Sequence, residues 1–132
     1  GRSSEITDFN EEIERLTVYI NNKLWDEKSS FYFDMHSGDK KSDVKTIGAY
    51  WALISGVISE DKLEKFVDHL DNPLEFKTHH IVPSLSLDHP EFQPQGDYWR
   101  GGVWAMTNYM VLRGLTEVSC DTLAHEIACN HV

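Results

Sequence analysis

The residues best suited to chemistry lie in one short stretch, QPQGDYWRGGVWAMTNYMVLRGL, residues 93–115. Asp97, Tyr98, Trp99, Arg100 and Trp104 surround the glycine pair Gly101-Gly102, and an apolar helical pattern follows directly. Tryptophan offers a flat apolar face with an N–H at its rim, aspartate a directional acceptor, and arginine a forked donor. A polyhydroxylated sugar ring needs all three. The glycines allow a ligand to approach the backbone closely and leave the amides at the helix start free to point toward it. A second reading fits the same composition: Trp99 and Trp104 as core residues, with Asp97 capping the helix and pairing with Arg100.

The elements that would position these residues can be read from the rest of the chain. Residues 8–25 place Phe9, Ile13, Leu16, Ile20 and Leu24 at three- and four-residue spacings, predicting an amphipathic helix with one buried stripe, capped by Thr7 or by an Asp8/Glu11 capping box. Residues 29–43 switch to an aromatic run ending in Gly-Asp-Lys-Lys, which predicts a short hairpin or extended loop; a calcium site on Asp34 and Asp39 is disfavoured because too few oxygen ligands stand at fixed spacing. From Val44 to Ile58 the chain is apolar nearly all round, the pattern of a deeply buried helix. Ser59 is a good N-cap for a third helix with Leu63, Phe66, Val67 and Leu70 on one side. Gly102–Arg113 reads as a fourth helix, with Gly114 as its C-terminal cap, and residues 116–132 as a fifth. Strongly apolar helices thus alternate with amphipathic ones, as in an array of helical hairpins or an α/α toroid.

Residues 72–97 have no helical period and carry Pro73, Pro83, Pro90 and Pro94, with the pairs His79-His80 and Asp88-His89. A connection of this length in a compact domain is usually functional or disordered, and its Ile, Leu and Phe content favours function. The His pair lacks a third ligand at metal spacing, and His125-Glu126 with Cys129 misses the HExxH pattern, so neither a metal nor a cofactor is expected.

The 132 residues suit one domain spanning 1–132. With 22 acidic against 12 basic residues the net charge is -10, and no Lys/Arg stripe exists, which argues against nucleic-acid binding. No apolar run reaches the ~20 residues of a membrane span, and no charged-then-apolar leader is present. Cys120 and Cys129, read as lying on one helix, would stand roughly 13 Å apart, too far to bridge. Two free thiols suit a reducing, cytoplasmic setting.

GDYWRGGVWAMTNYMVLRGL resembles the GDxWRGPxWxxxNYLLxxGL segment of glycoside hydrolase family 63, which contains processing α-glucosidases and mannosylglycerate hydrolases, and more distantly the trehalases. VKTIGAYWALISGVIS is similar to an inner helix of that family, DNPLEF to its turn, and IVPSLSLDHPEF to its VPSxxxDxPxF loop, so the resemblance covers residues 31–115 in order. Gly102 and Ala105 depart from it, since relatives commonly show proline there. The resemblance implies an all-α fold: part of an (α/α)6 toroid, about five helices, with a central sugar pocket.

It also implies inverting hydrolysis of α-linked glucosides or similar small glycosides by two carboxyl groups ~6.5–9.5 Å apart. The family's acid lies in an ESGWD-like motif well upstream of the PSLS loop, and nothing before residue 44 matches it. Its base lies downstream of the LRGL helix, and this chain continues only 17 residues past Leu115. Both catalytic carboxylates are therefore expected to be missing. Asp88, Glu91 or Asp97 could substitute only with a raised pKa and a partner across a closed pocket. Sugar contact is the role carried over to Asp97, Trp99, Arg100 and Trp104, with Tyr98, Asn108 and Asp88 beside them. Part of a toroid leaves side walls bare, so self-association into a homo-oligomer is expected.

Overall fold

The computed structural model describes residues 3–131 and is mainly helical. Helix α1 covers Ser3–Tyr19 and continues as a π-helical turn, Ile20–Leu24. It begins ahead of Thr7 and Asp8, so the expected capping box lies inside the helix. Asn21 anchors its far end. The Nδ2 of Asn21 donates to the carbonyls of Thr17 at 2.9 Å and Val57 at 2.6 Å, while its Oδ1 accepts from the Tyr32 hydroxyl at 2.8 Å. Only the end of the expected stripe is used: Ile20 and Leu24 pack on the core, whereas Phe9, Ile13 and Leu16 are 69%, 58% and 40% exposed.

Two small antiparallel hairpins follow, where one had been expected. Strand β1, Trp25–Asp26, pairs with β2, Phe31–Tyr32, and β3, Met35–His36, pairs with β4, Lys40–Lys41. The second turns through Gly38 and Asp39, both at positive φ, residue types that tolerate the left-handed region.

The segment expected as one long buried helix is shorter: a 3-10 turn, Ile47–Tyr50, leads into α2, Trp51–Ser55, which ends at Gly56 in the left-handed conformation. Nor is it buried all round, since Trp51 is 52% exposed. Helix α3, Glu60–Asp68, starts after Ser59 as the sequence suggests and ends in a 3-10 turn, His69–Asp71. The Ser59 hydroxyl makes no capping bond and hydrogen-bonds Asn21 Oδ1 instead.

Helix α4 covers Ala105–Glu117 and α5 covers Asp121–His131. Gly114 is thus inside α4, not its cap. A Cβ there would sit 2.6 Å from Leu53 Cβ, so glycine is what lets α2 and α4 pack closely. The left-handed residue after α4 is Ser119, at φ 60°. Cys120 lies just ahead of α5 rather than on it, and both thiols are free.

The core centres on Phe31, fully buried, whose ring lies 5.3 Å from Phe66, 5.9 Å from Tyr50 and 6.1 Å from Phe76. Phe76, Ile81, Val82 and Leu85 bring the irregular 72–97 segment into it. That segment is held by backbone bonds along 45–47: Ile47 N–H to Ser84 O at 3.1 Å, Ser86 N–H to Lys45 O at 3.1 Å, and a bridge between Thr46 and Leu85. No helix among the described residues is long and apolar enough to cross a membrane.

Candidate sugar-binding wall

Residues 97–104 form a tight exposed turn at the entrance to α4. Tyr98–Arg100 is one 3-10 turn, with Tyr98 at φ 48°, and Gly101 adopts φ 141°, which side-chain-bearing residues seldom occupy. Three rings cluster on it. The Trp99 and Trp104 centroids are 5.5 Å apart with planes inclined by 33°, and Tyr98 stands edge-on to Trp104 at 5.5 Å and to Trp99 at 5.6 Å. The alternative that these tryptophans belong to the core is overturned, since Trp99 is 47% exposed and Trp104 half-buried. Asp97 does pair with Arg100, and Glu91 approaches the same guanidinium at 3.4 Å. The Asp97 side chain makes no capping bond to the helical turn. Its hydrogen bond holds the Arg100 guanidinium above its ordinary range.

Trp99 borders a cavity of about 300 Å³ between the start of α2 and the start of α4, whose walls include Thr46, Gly48, Trp51, Ser84 and Thr107. Trp51 and Ser84 belong to this wall and were missed by sequence reasoning. Nothing in an all-round apolar stretch distinguishes an outward tryptophan from an inward one. A larger cavity, about 590 Å³, is lined by Lys77, His79, His80, Phe92, Pro94 and Gly101, so the glycine-containing turn borders both. The His79 and His80 rings are 4.6 Å apart, and among the described residues no three His, Cys, Asp or Glu side chains could hold a metal ion together.

Two expected sugar contacts do not join the cluster. Asn108 is 1% exposed and its Nδ2 donates to Ile81 O at 2.8 Å, because the third residue beyond Ala105 faces inward on α4. Asp88 accepts from Lys45 Nζ at 2.6 Å in a network the sequence did not reveal. Lys45 also bonds Glu75, which is 7% exposed and further partnered by His69 Nδ1 and by Asn72 at 3.1 Å. Burial pulls the Lys45 ammonium down, but its hydrogen bonds to Asp88 and Glu75 outweigh this and raise its pKa. For Asp88, burial pushes up and the bond from Lys45 wins, leaving it below its ordinary value. The network fastens the 72–97 segment to Lys45, just ahead of the turn that opens α2.

The helices form part of an (α/α)6 toroid, and the class is that of the glycoside hydrolase domains that the chain matches and superposes on. The crystal structure of a family 63 mannosylglycerate hydrolase from Thermus thermophilus, in complex with glucose, superposes with a TM-score of 0.83 at 27% identity, over 94% of this chain and 31% of that one. A neutral trehalase from Saccharomyces cerevisiae superposes at 0.80 with 18% identity over 95% of this chain and 23% of that one, a likeness of fold. In sequence, a mannosylglycerate hydrolase of T. thermophilus is 32% identical over 103 residues, 76% of this chain and 24% of that protein. A cytosolic neutral trehalase of Kluyveromyces lactis is 29% identical over 122 residues, 87% of this chain and 15% of that protein. Residues 1–130 match the mannosylglycerate hydrolase MGH1-like glycoside hydrolase domain, and the chain belongs to that family. It spans about a quarter of the length of such relatives.

Proposed function

We propose that this chain forms one wall of the sugar pocket of an inverting glycosidase that acts on small α-linked glycosides, glucosides or mannosides. Trp99 and Trp51 serve as platforms for the ring, with Trp104 behind them, and Asp97 and Arg100 bind hydroxyls. The observation that carries this reading is the exposed Trp99–Trp104 pair, 5.5 Å between centroids, beside a cavity of about 300 Å³ that Trp51 also lines. Large aromatic faces left in water at a helix entrance have a poor structural rationale and a good one as a stacking surface. The relative crystallised with glucose supports the ligand class.

The carboxyl groups that cut the bond lie on parts of the toroid outside this chain. Asp88, Glu91 and Asp97 are each paired with a cation, Lys45 or Arg100. At Asp88 the bonded Lys45 ammonium outweighs burial and favours the carboxylate, the wrong form for a general acid. The chain assayed alone is therefore expected to release no p-nitrophenol from p-nitrophenyl α-glucoside or α-mannoside. It is expected to bind methyl α-glucoside or α-mannoside weakly, seen as a change in tryptophan fluorescence that Trp99→Ala abolishes. Turnover lost on Asp97→Asn would overturn the division of labour, and binding indifferent to Trp99→Ala would overturn the wall.

A second reading is favoured by the bare stripe of α1: a non-enzymatic helical module that associates with a second copy of itself, binding carbohydrate weakly if at all.

A further inference from the structure

We infer that Ser84 is the positioning residue of the aromatic wall, an inference that rests on the sugar-pocket reading for its functional meaning. The turn that carries Tyr98, Trp99 and Arg100 is exposed, has two adjacent glycines and gains no side-chain cap. Its backbone must be fixed from elsewhere if the rings are to hold one geometry. Ser84 reaches it from three sides. Its N–H donates to Gly102 O at 2.9 Å, its Oγ accepts from Gly101 N–H at 3.2 Å, and the hydroxyl donates to Tyr98 O at 3.4 Å. That last carbonyl is shared, receiving also Gly102 N–H at 3.2 Å and Trp104 Nε1–H at 3.3 Å. One serine thus ties together the residues bracketing Trp99 and, through Tyr98 O, the indole of Trp104. Among the described residues, Ser84 and Trp104 are the only side chains bonded to the backbone of 98–102.

Ser84 itself cannot drift. It is 2% exposed, its carbonyl accepts from Ile47 N–H at 3.1 Å, and the Thr46–Leu85 bridge lies beside it. The base of α2 therefore fixes Ser84, and Ser84 fixes the turn, which puts Trp51 and Trp99 in register across one cavity. The glycines fit the same scheme. A Cβ on Gly101 would meet Gln93 O at 2.5 Å, and one on Gly102 would meet Tyr98 O at 2.5 Å. At these two positions the turn is packed too tightly to carry a side chain.

Two tryptophans this close should couple electronically, giving a paired positive and negative band in the far-ultraviolet circular dichroism, with Trp99→Phe as the uncoupled reference. Ser84→Thr and Ser84→Val fill the same space and differ in the hydroxyl. We expect Ser84→Thr to keep the couplet and Ser84→Val to reduce it to the Trp99→Phe level, with methyl glycoside affinity falling about tenfold, the upper end for one lost hydrogen bond. Ser86→Ala, at an equally buried position, should leave the couplet intact. The inference is overturned if Ser84→Val keeps the couplet, or if Ser84→Thr and Ser86→Ala lose it as well. A chain that shows the couplet and its loss in Ser84→Val, yet binds no glycoside, would sink the sugar-pocket reading and leave the positioning role standing.

Discussion

Lys45 illustrates how much one side chain can hold in this protein. Its side chain is 15% exposed, and the ammonium faces the side chains of Glu75, at 9%, and Asp88, at 44%. Removing the cation leaves Glu75 buried beside His69 and Asn72 without its main counter-charge. Breaking such a pair from one side costs about 3–5 kcal/mol, because the orphaned charge stays out of water. Lys45→Met is expected near the lower end, since Asp88 can turn to solvent, and urea denaturation at pH 7 checks it. The pH dependence follows from the two shifts. Asp88 is depressed, so its contribution is present above its unfolded pKa and fades as pH falls below about 4. Lys45 is raised, so its contribution is present below its unfolded pKa and fades as pH climbs past about 10.4. The gap between wild type and Lys45→Met should therefore be widest at neutral pH and narrow toward both extremes. A gap that widens in acid would contradict this account of the network.

At the scale of elements, Gly114 sets two known effects against each other. Replacing a mid-helix glycine with alanine gains about 1 kcal/mol of helix propensity. Here the added Cβ would meet Leu53 Cβ at 2.6 Å and its Cδ1 at 3.3 Å, and overpacking a tight contact costs about 1–3 kcal/mol. The clash should win, so Gly114→Ala is expected to lower the melting temperature by a few degrees, whereas an exposed mid-helix glycine would raise it. The same residue marks where sequence reading stops. A glycine after an apolar run looks identical whether it ends a helix or admits a neighbour, and only the packing of α2 decides. The amphipathic pattern of α3 was legible because its periodicity is local, whereas α5 begins at Asp121 and not at residue 116, because α4 runs through Gly114 to Glu117. The 72–97 segment was not, because backbone bonds to 45–47 and the buried Glu75 network order it, and neither leaves a period. The aromatic cluster at 97–104 was legible as a candidate site because its residue types are conspicuous. Trp51 and Ser84 were not, because their part depends on which helix starts stand side by side. Asn108 was misplaced because a motif lists neighbours in sequence, and on α4 its side chain turns inward.

For the whole molecule, the question is what the outer surface of α1 meets. Ile6, Phe9, Ile13 and Leu16 fall on one stripe and are 59%, 69%, 58% and 40% exposed, while Met106 and Tyr109 on α4 are 66% and 60% exposed. Each large side chain left in water forgoes about 1.5–3 kcal/mol of burial, so covering the α1 stripe offers a substantial driving force. We expect a second copy to supply the cover. The flanks of α1 carry Glu5, Asp8, Glu11, Glu12 and Glu14 against Arg15, and the chain as a whole carries a charge of -10. Like charges oppose the approach of two copies, and salt screens that opposition within a Debye length of about 10 Å at 0.1 M. Self-association should therefore strengthen as salt is raised, the reverse of an interface held by ion pairs. Light scattering at rising concentration should report a dimer or larger species, with the midpoint moving to lower concentration between low and high salt. Ile13→Glu places a charge at the centre of the stripe without touching the core, and should give a monomer whose melting temperature is unchanged at dilutions where wild type is also monomeric. Wild-type chains that stay monomeric at every salt and concentration would show that a second copy is not what covers α1.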